Sequence, residues 1–381
     1  MLRTTLTLAL LFLLACQPVV KEAPLKTGKT APYEHPIPFA PREYVCYRAT
    51  EPLLIDGKIT ESDWQRAPWT EDFVDIEGNL KPTPKYRTRA KMLWDDQYFY
   101  FAAEIEEPHI WATITERDAV MYQNDDFEIF IDPDGDGHRY YEFEMNANNA
   151  IWDLFMLEPY RVDTFPAKYL NDWDIKGIKT GVAVAGTVND PSDEDKYWRV
   201  EVAMPWEALK AVAPEMRQPE AGEQWRVNFS RVDWWMDIVD GKYQKQTDPN
   251  TGEVKRWPEE NWVWSPSGRV DMHQPETWGY VQFSNAQVGT KEEGFSAKPE
   301  EKIKWALWQL YHQQRVFYKE HGYYASEVVP PEVDLPNYTF DPVVETTHSL
   351  FEIRAAALDG GTWHIRQDGR IWKSGSQLGI D

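Results

Sequence analysis

The chain has 381 residues, which is enough for one large or two moderate domains. Its formal net charge of -23 argues against a nucleic-acid partner, because phosphate contacts need clustered Lys and Arg. It contains 19 Trp and 19 Tyr, more than one core needs, so we expect most of them in the core and some at a ligand surface.

The N-terminus has the pattern of a secretory signal. Arg3 precedes an apolar run over residues 6–14, which is too short to span a bilayer as a stable helix. The run ends at Leu13-Leu14-Ala15-Cys16, which resembles the bacterial lipobox; the alternative is an ordinary signal peptide with a chance cysteine. The resemblance implies that residues 1–16 are a lipoprotein signal and lipobox. The lipidated Cys16 would then anchor the protein in the bacterial cell envelope, at the outer membrane or cell surface.

Residues 17–41 are predicted to form a Pro-rich tether. They have little apolar periodicity, and their prolines favour extended, polyproline-like conformations that make a semi-rigid spacer. Cys46, the second of two cysteines, lies in a Tyr-Val-Cys-Tyr strand pattern and is predicted to be a small buried hydrophobe. With Cys16 lipidated, no intrachain disulfide is available.

Residues 42–284 alternate between short strand patterns and turns rich in Gly, Pro, Asn and Asp. Strands at this spacing predict a mainly β fold, an antiparallel β-sandwich of the jelly-roll or immunoglobulin-like type. A hairpin is expected across Asp95-Asp96-Gln97, and a short helical turn at 60–64 is expected to place Trp64 in the core. The other predicted strands are 88–94, 98–105, 149–157, 181–187, 197–204, 225–232 and 279–283.

The segment 122–146 predicts a further hairpin with two different faces. Strand side chains alternate with period two, so Phe127, Ile129 and Ile131 share one face and Asp126, Glu128 and Phe130 the other. The returning strand alternates in the same way, with apolar Tyr141, Phe143 and Met145 opposite polar Glu142, Glu144 and Asn146. One face therefore belongs to the core, and the other is suited to gripping a polar ligand.

The turn of this hairpin carries carboxylates at alternate positions. Asp132, Asp134 and Asp136 suggest a structural Ca²⁺ site, but the twelfth position of an EF-hand loop would be Phe143, so that motif fails. An acidic turn without metal is the alternative. No other cofactor is predicted.

Residues 296–381 are predicted to form a small α+β appendage, with a helix followed by a sheet. The longest helical pattern of the chain covers 300–320 and has an apolar stripe. Two apolar-rich segments, 348–356 and 362–372, flank Gly360-Gly361, which is a hairpin signal. The sequence does not indicate the role of this appendage beyond a possible protein partner.

Several pieces in a fixed order resemble carbohydrate-binding module family 9 and its lipoprotein relatives. They span roughly residues 44–284 and consist of 54–57 with Trp64, 91–100, 125–132, 199–206 and 225–231. The resemblance implies a β-sandwich that holds an oligo- or polysaccharide between two aromatic walls, often with structural calcium. By position it implies Tyr122 as one wall, Glu128 as a hydroxyl-binding acid, and Glu144 and Asn146 as further contacts. For the second wall Trp262 and Trp264 are available, and we predict Trp264.

Two further residues complete the predicted site. Arg231 can bridge adjacent hydroxyls as a bidentate partner, and Trp235 is predicted as the outward-facing member of Trp234-Trp235. Flat aromatics suit the C–H faces of a pyranose, while polar side chains satisfy its rim. The alternatives are local: Tyr122 packs on its own turn, and Glu128 is a cross-strand charge partner.

These residues favour a non-catalytic, membrane-anchored carbohydrate-binding lipoprotein that serves polysaccharide catabolism. No nucleophile motif such as Gly-x-Ser-x-Gly is present. The alternatives are a protein-docking structural lipoprotein that has lost sugar binding, a glycoside hydrolase accessory subunit, and a haem b sandwich using Met145, Met121 and His138. Tyr at position 122, where Trp is usual, and the acidic Glu144 keep the docking alternative open.

Overall fold

The computed structural model describes residues 26–254 and 259–375. Cys16 and the first part of the predicted tether lie outside these residues. The strands of the main body, in chain order, are β1 (Glu43–Arg48), β2 (Val74–Asp75), β3 (Thr88–Trp94), β4 (Tyr98–Glu106), β5 (Asp126–Asp132), β6 (Tyr140–Asn146), β7 (Ile151–Met156), β8 (Tyr169–Leu170), β9 (Lys179–Ala185), β10 (Tyr197–Pro205), β11 (Gln224–Trp234), β12 (Met236–Val239), β13 (Lys242–Lys245), β14 (Glu259–Val263) and β15 (Gly279–Gln287). Two short helices interrupt them, α1 (Ser62–Arg66) and α2 (Trp206–Leu209).

The main sheet is continuous and folds over on itself. Its order is β8-β7-β6-β5-β11-β15-β1-β3-β4-β10-β9, with β14 and β2 branching from β11. Most neighbours are antiparallel, but β1 runs parallel to both β3 and β15. Phe101 on β4 and Phe229 on β11 lie four places apart in this order, yet their ring centroids are 5.9 Å apart. The two halves of the sheet therefore face each other across one core, which confirms the predicted mainly β, sandwich-like fold.

The core takes the apolar face of each predicted strand. Phe127, Ile129 and Ile131 of β5 are fully buried there, together with Phe143 and Met145 of β6. The β3–β4 hairpin forms where predicted, because the Asp95 carboxylate accepts hydrogen bonds from the backbone N–H groups of Gln97 and Tyr98, at 2.7 and 2.8 Å. Trp64 and Cys46 are both fully buried, as predicted, and burial raises the pKa of the Cys46 thiol.

The C-terminal appendage consists of one long helix packed on a small antiparallel sheet. The helix is α3 (Glu300–His321), and the strands are β16 (Val343–Thr346), β17 (Phe351–Ala356), β18 (Thr362–Arg366) and β19 (Ile371–Ser374). The predicted segment 362–372 is in fact two strands joined by a turn, and β16 was not predicted. Leu307 and Leu310 of α3 pack with Ile353 and Ile365 of the sheet. The appendage therefore has its own apolar core.

The appendage also packs closely on the sandwich. Arg370 donates from Nε to the Asp136 carboxylate at 2.9 Å, and the N–H of Ile371 donates to the Asp136 carbonyl at 3.0 Å. On the other side, Glu301 of α3 accepts hydrogen bonds from Tyr280 at 2.8 Å and from Arg226 at 3.1 Å. These contacts connect the appendage to the β5–β6 turn and to the central strands β11 and β15.

Residues 26–41, the part of the predicted Pro-rich tether that the structure describes, pack on α3. Phe39 stacks on Trp305 of α3 with ring centroids 3.7 Å apart, and Tyr33 stacks on His312 at 4.7 Å. Thr30 donates from its hydroxyl to the side chain of Gln313 at 2.6 Å. The prolines keep this segment extended, but its aromatic side chains bury apolar area against α3, and that burial fixes it in place.

The described part of the chain contains no helix that combines the length and the apolar character needed to cross a bilayer.

Candidate functional site

A groove lies on the outward face of β5, β6 and β11. As predicted, Glu128 of β5 and Glu142 and Glu144 of β6 point away from the core, and Glu128 is the cross-strand partner of Glu144. The cavity above them has a volume of about 480 Å³. Its lining includes Ile76, Tyr122, Glu128, Phe130, Glu142, Glu144, Trp152, Tyr160, Val232, Glu259, Asn261, Val270, Asp271, Met272 and His273. The sandwich therefore places a concave, acidic and aromatic surface where the sequence predicts a ligand face.

Two tyrosines form exposed aromatic sides of this groove. The Tyr122 side chain is 50% exposed and that of Tyr160 is 46% exposed, although both residues line the cavity. The backbone of Tyr122 is held from two directions: its N–H donates to Glu144 Oε2 at 3.0 Å, and its carbonyl accepts from Trp234 Nε1 at 2.9 Å. Tyr160 lies edge-on to His273, with ring centroids 4.4 Å apart. The Tyr122 backbone is thus held in place, the Tyr160 ring contacts His273, and both side chains are accessible from the groove.

The carboxylates of the groove floor are buried and close to one another. Asp126, Glu128 and Glu144 offer oxygen atoms that all lie within 4.8 Å of each other. Burial raises the pKa of Glu128 to about 7. Burial also raises the pKa of Glu142 and of Glu144, and the neighbouring charge of Glu128 adds to the effect in both cases. The floor therefore retains protons to a higher pH than free carboxyl groups would.

Two predicted ligand residues belong to the core instead. Trp264 is fully buried, packs against Phe229, and donates from Nε1 to Glu71 at 3.2 Å. It is not an aromatic wall, because the chain at 264 turns this side chain toward the core. Arg231 shares the core face of β11 with Phe229 and is 1% exposed. Its guanidinium forms ion pairs with Glu107 and Asp233, which use the donors predicted for a sugar.

Asn146 and Trp235 also lie away from the groove. Asn146 is fully buried, and its amide nitrogen donates to the Ile114 carbonyl at 2.9 Å and to Asn124 Oδ1 at 3.2 Å. It therefore holds the loop that precedes β5. Trp235 is 39% exposed, as expected of the outward member of the pair, but it donates to Glu260 at 3.0 Å and does not line the cavity. Of the seven predicted contacts, the groove brings together Tyr122, Glu128 and Glu144.

The groove contains residues that the sequence prediction missed. Glu142 follows the same alternation as Glu144, so its position two residues earlier on β6 was a signal for it. Tyr160 and His273 lie on irregular loops after β7 and before β15, and no periodicity marks such residues. His273 lies 2.7 Å from the Tyr140 hydroxyl through Nδ1, and burial lowers its pKa to about 3, so it is neutral at pH 7.

The two methionines of the haem alternative lie on opposite faces of the sheet. Met145 is buried in the core between the two halves of the sandwich, whereas Met121 packs with Phe130 and Trp278 on the outward side. One iron cannot reach two side chains separated by a sheet, so Met121 and Met145 cannot share an iron; the alternative of a Met with His138 stays a prediction.

The acidic turn brings Asp132, Asp134 and Asp136 together, with oxygen atoms within 4.8 Å of one another. Most of these oxygens already have partners. Asp132 accepts hydrogen bonds from the N–H groups of Gly135 and Gly137, each at 3.0 Å, and Asp136 pairs with Arg370. Ca²⁺ takes six to eight oxygen ligands, and this set supplies part of that number. Calcium at this turn stays a prediction.

This fold and groove define a β-sandwich with a polar and aromatic outward face. Residues 55–222 match the family model described as "Carbohydrate family 9 binding domain-like". The predicted resemblance to carbohydrate-binding module family 9 is therefore confirmed for this part of the chain. The match includes β5 and β6 but ends before β11 and β14.

Two curated relatives match shorter parts of the chain. Endo-1,4-beta-xylanase C of Paenibacillus barcinonensis is 31% identical over 78 residues, and exoglucanase XynX of Acetivibrio thermocellus is 27% identical over 100 residues. These alignments cover 20% and 26% of the chain, but only 6% and 8% of the relatives. The chain thus matches less than a tenth of the length of either enzyme.

Solved structures include two similar chains at low sequence identity. One is a family 9 carbohydrate-binding module from Caldicellulosiruptor kristjanssonii in complex with cellotriose, at 16% identity and a TM-score of 0.40, covering 66% of this chain and 99% of that one. The other is a putative carbohydrate-binding protein from Bacteroides uniformis, at 16% identity and a TM-score of 0.46, covering 64% of this chain and 100% of that one.

Proposed function

We propose that the groove on β5, β6 and β11 binds an oligo- or polysaccharide without catalysing its cleavage. The observation that carries this proposal is the combination of two half-exposed tyrosines with buried carboxylates on the outward face of a family-9-like domain. Tyr122 and Tyr160 replace the predicted pair of Tyr122 and Trp264 as the aromatic contacts. Glu128, Glu142 and Glu144 then accept hydrogen bonds from the hydroxyl rim of the sugar.

The geometry supports this mode of binding in two ways. A pyranose ring covers an aromatic face with its C–H groups, and the exposed tyrosines offer such faces at the mouth of the groove. The Oε2 atom of Glu142 is buried and has no hydrogen-bond partner, so a ligand donor that reaches it would satisfy an acceptor that is otherwise unpaired. The carboxylates of the floor thus suit the hydroxyls of a sugar, and the tyrosine rings suit its C–H faces.

Titration calorimetry of residues 17–381 against mono- and oligosaccharides tests this function. We expect heat for one class of saccharide, with affinity reduced by about tenfold or more in Tyr122→Ala and in Tyr160→Ala. Tyr318→Ala is the matched control, because Tyr318 is 37% exposed on α3, outside the groove. Folded protein that gives no heat with any saccharide would contradict the proposal and favour a protein-docking role.

We also propose that Cys16 carries the lipid anchor. Residues 26–41 pack on α3, so any anchor at Cys16 is joined to the folded body by the short stretch up to Lys26. Even a fully extended chain of ten residues reaches only about 35 Å. The binding groove would then stay close to the membrane that holds the lipid. This position suits a protein that retains saccharides at a cell surface for breakdown by separate enzymes.

The anchor can be tested separately from sugar binding. Metabolic labelling with a palmitate analogue is expected to tag the expressed wild-type chain and to leave Cys16→Ser untagged. Cys46→Ser is the control, because that thiol is fully buried and is not expected to be acylated. Labelling that persists in Cys16→Ser would contradict the lipoprotein assignment.

A further inference from the structure

The lining of the groove carries many carboxylates and no Lys or Arg among the residues that the structure describes there. Glu128, Glu142 and Glu144 form the floor, and Glu259 and Asp271 lie on two sides. His273 is neutral at pH 7, as shown above. Two cations lie nearby outside the lining. Arg161 pairs with Glu276 at 2.9 Å and also favours the ionised form of Asp271, and Lys245 lies over the Trp234 ring and favours the ionised form of Glu259. The charge of the groove thus has no counter-charge within its own lining.

The register of β5 and β6 places carboxylates opposite each other, which disfavours their ionised forms in the empty protein. Glu128 and Glu144 are direct cross-strand partners, and like charges directly opposite each other destabilise a sheet. Glu142 is 5% exposed, and its Oε2 atom has no hydrogen-bond partner. A neutral sugar donates hydrogen bonds from its hydroxyls but brings no positive charge to these carboxylates. A ligand that brings positive charge compensates it.

The spread of the carboxylates distinguishes an organic cation from a metal ion. A Ca²⁺ ion binds oxygens at about 2.3–2.6 Å, so it gathers ligands into one small sphere. Asp126, Glu128 and Glu144 meet that requirement as one set, whereas Glu142, Glu259 and Asp271 do not belong to that set. Acidic side chains therefore extend along a groove of about 480 Å³, beside two exposed tyrosine rings. This arrangement fits several ammonium groups on a chain of sugar rings.

We propose that the groove selects saccharides that carry primary ammonium groups, of the glucosamine type, over neutral saccharides of equal length. This inference rests on the proposed function, since it names the class of saccharide for the same groove. The ammonium groups pair with Glu142, Glu144 and Glu128, while Tyr122 and Tyr160 cover the ring faces. An ammonium also attracts aromatic faces electrostatically, which favours the same orientation.

Proton release gives this proposal a signature of its own. Burial raises the pKa of Glu142 and Glu144, so at a given pH these groups hold more protons in the empty groove than free carboxyl groups would. An ammonium group beside them favours their ionised forms and expels those protons. A neutral saccharide brings no charge and has no such effect. The groups that titrate around the ligand are Asp126, Glu128, Glu142, Glu144, Glu259, Asp271, His273 and the ligand amine itself.

The decisive experiment is calorimetry of residues 17–381 with trimers of glucosamine, of N-acetylglucosamine and of glucose, at pH 6 in two buffers of different ionisation enthalpy. We expect the glucosamine trimer to bind about tenfold more tightly than either neutral trimer. Its apparent enthalpy should differ between the two buffers, and that of a neutral trimer should not.

Variants separate the possible outcomes. Glu142→Gln keeps the shape of the side chain and should remove most of the preference for the glucosamine trimer. Glu207→Gln, with a side chain that is 82% exposed on α2, should keep it and thus controls for net charge.

Equal binding of all three trimers would overturn this proposal and leave the proposed function standing. A second contrary outcome is binding heat with CaCl₂ alone that disappears in Glu128→Gln, together with no preference among the trimers. This outcome would overturn the ammonium proposal in favour of a metal site. Absence of binding by every trimer and by the wider saccharide panel would overturn both proposals.

Discussion

Trp264 and Tyr122 are both aromatic residues of the predicted site, but they have opposite exposure. Trp264 is fully buried, and Tyr122 is half exposed. We expect Trp264→Ala to lower the free energy of unfolding by about 3–5 kcal/mol, because the substitution leaves a large cavity. Tyr122→Ala should change it by no more than about 0.5 kcal/mol, as is usual for surface sites. Urea unfolding followed by fluorescence measures both values. A Trp264→Ala protein with the free energy of unfolding of the wild type would contradict the core assignment.

The buried carboxylates predict how stability depends on pH. Burial raises the pKa of Glu128 to about 7 in the folded protein, against 4.5 for the free group. The folded state therefore binds a proton more tightly than the unfolded state, so the free energy of unfolding falls as pH rises from about 4.5 to about 7. Glu128→Gln has no charge to bury and should reduce this fall, by on the order of 1–3 kcal/mol. Urea titrations at several pH values give the free energy of unfolding of the wild type and of Glu128→Gln. If this free energy changes with pH by the same amount in both proteins, the prediction is wrong.

The residue-scale prediction from sequence succeeded where one strand determines the direction of a side chain. Glu128 and Glu144 lie on regular strands, and their exposure to the groove follows from alternation alone. Trp264 follows a strand end, so the path of the backbone decides its direction. Arg231 does obey alternation, but its parity places it with Phe229 on the core face. Its polar character gave the wrong expectation, because a buried arginine can pair with carboxylates inside the fold.

Among the elements, the β5–β6 hairpin connects the groove to the appendage. Its strands carry the groove floor, and its turn carries Asp136, which bonds Arg370 and the backbone of Ile371. The sequence indicated this hairpin through alternation and an acidic glycine turn. It could not indicate that the turn contacts another part of the chain, because that contact joins residues more than 200 positions apart. Local patterns determine elements, and only packing determines which turns serve as contacts.

Gly137 at this turn provides an element-scale prediction. Its φ is +82°, and a Cβ there would lie 3.3 Å from the Trp308 ring of α3. Gly137→Ala should lower the free energy of unfolding by about 1–3 kcal/mol, through both backbone strain and the displaced ring. Gly222→Ala is the matched control, because its φ is +86° and no atom lies within 4 Å of the added Cβ. Thermal unfolding of both variants isolates the contact with Trp308, and equal destabilisation would show that this contact contributes nothing.

At the scale of the whole molecule, the appendage contacts both the sandwich and residues 26–41. The sequence indicated the boundary near 284–296 through a change in pattern, but boundaries in a sequence do not reveal how parts pack. Phe39 and Trp305 lie far apart in the chain and stack with ring centroids 3.7 Å apart. A Pro-rich composition predicts an extended backbone, and here that backbone lies along a helix. The appendage therefore supports both the sandwich and the segment that leads toward Cys16.

This shared packing predicts a single unfolding transition that depends on Glu301. The carboxylate of Glu301 accepts from Arg226 at 3.1 Å and from Tyr280 at 2.8 Å, both on the sandwich. Arg226 is buried, so Glu301→Gln leaves a buried cation without its counter-charge. We expect the free energy of unfolding to fall by about 1–3 kcal/mol. This is less than for a fully buried pair, because the Glu301 side chain is 21% exposed. Burial raises the pKa of Glu301, but Lys304 and Arg226 outweigh this and lower it to about 2.

Because the folded pKa of Glu301 lies below its unfolded value of 4.5, its contribution is present above pH 4.5 and is lost as pH falls toward 2. The matched control is Glu300→Gln, in which a side chain of similar exposure loses its pair with Lys373 inside the appendage. Scanning calorimetry should give one transition for the wild type and for Glu300→Gln. In Glu301→Gln the calorimetric enthalpy should exceed the van't Hoff enthalpy, as expected when the appendage begins to unfold separately from the sandwich. Two transitions in the wild type at pH 7 would contradict the packing argument, because they would mean that the contacts through Glu301 and Asp136 do not couple the two parts.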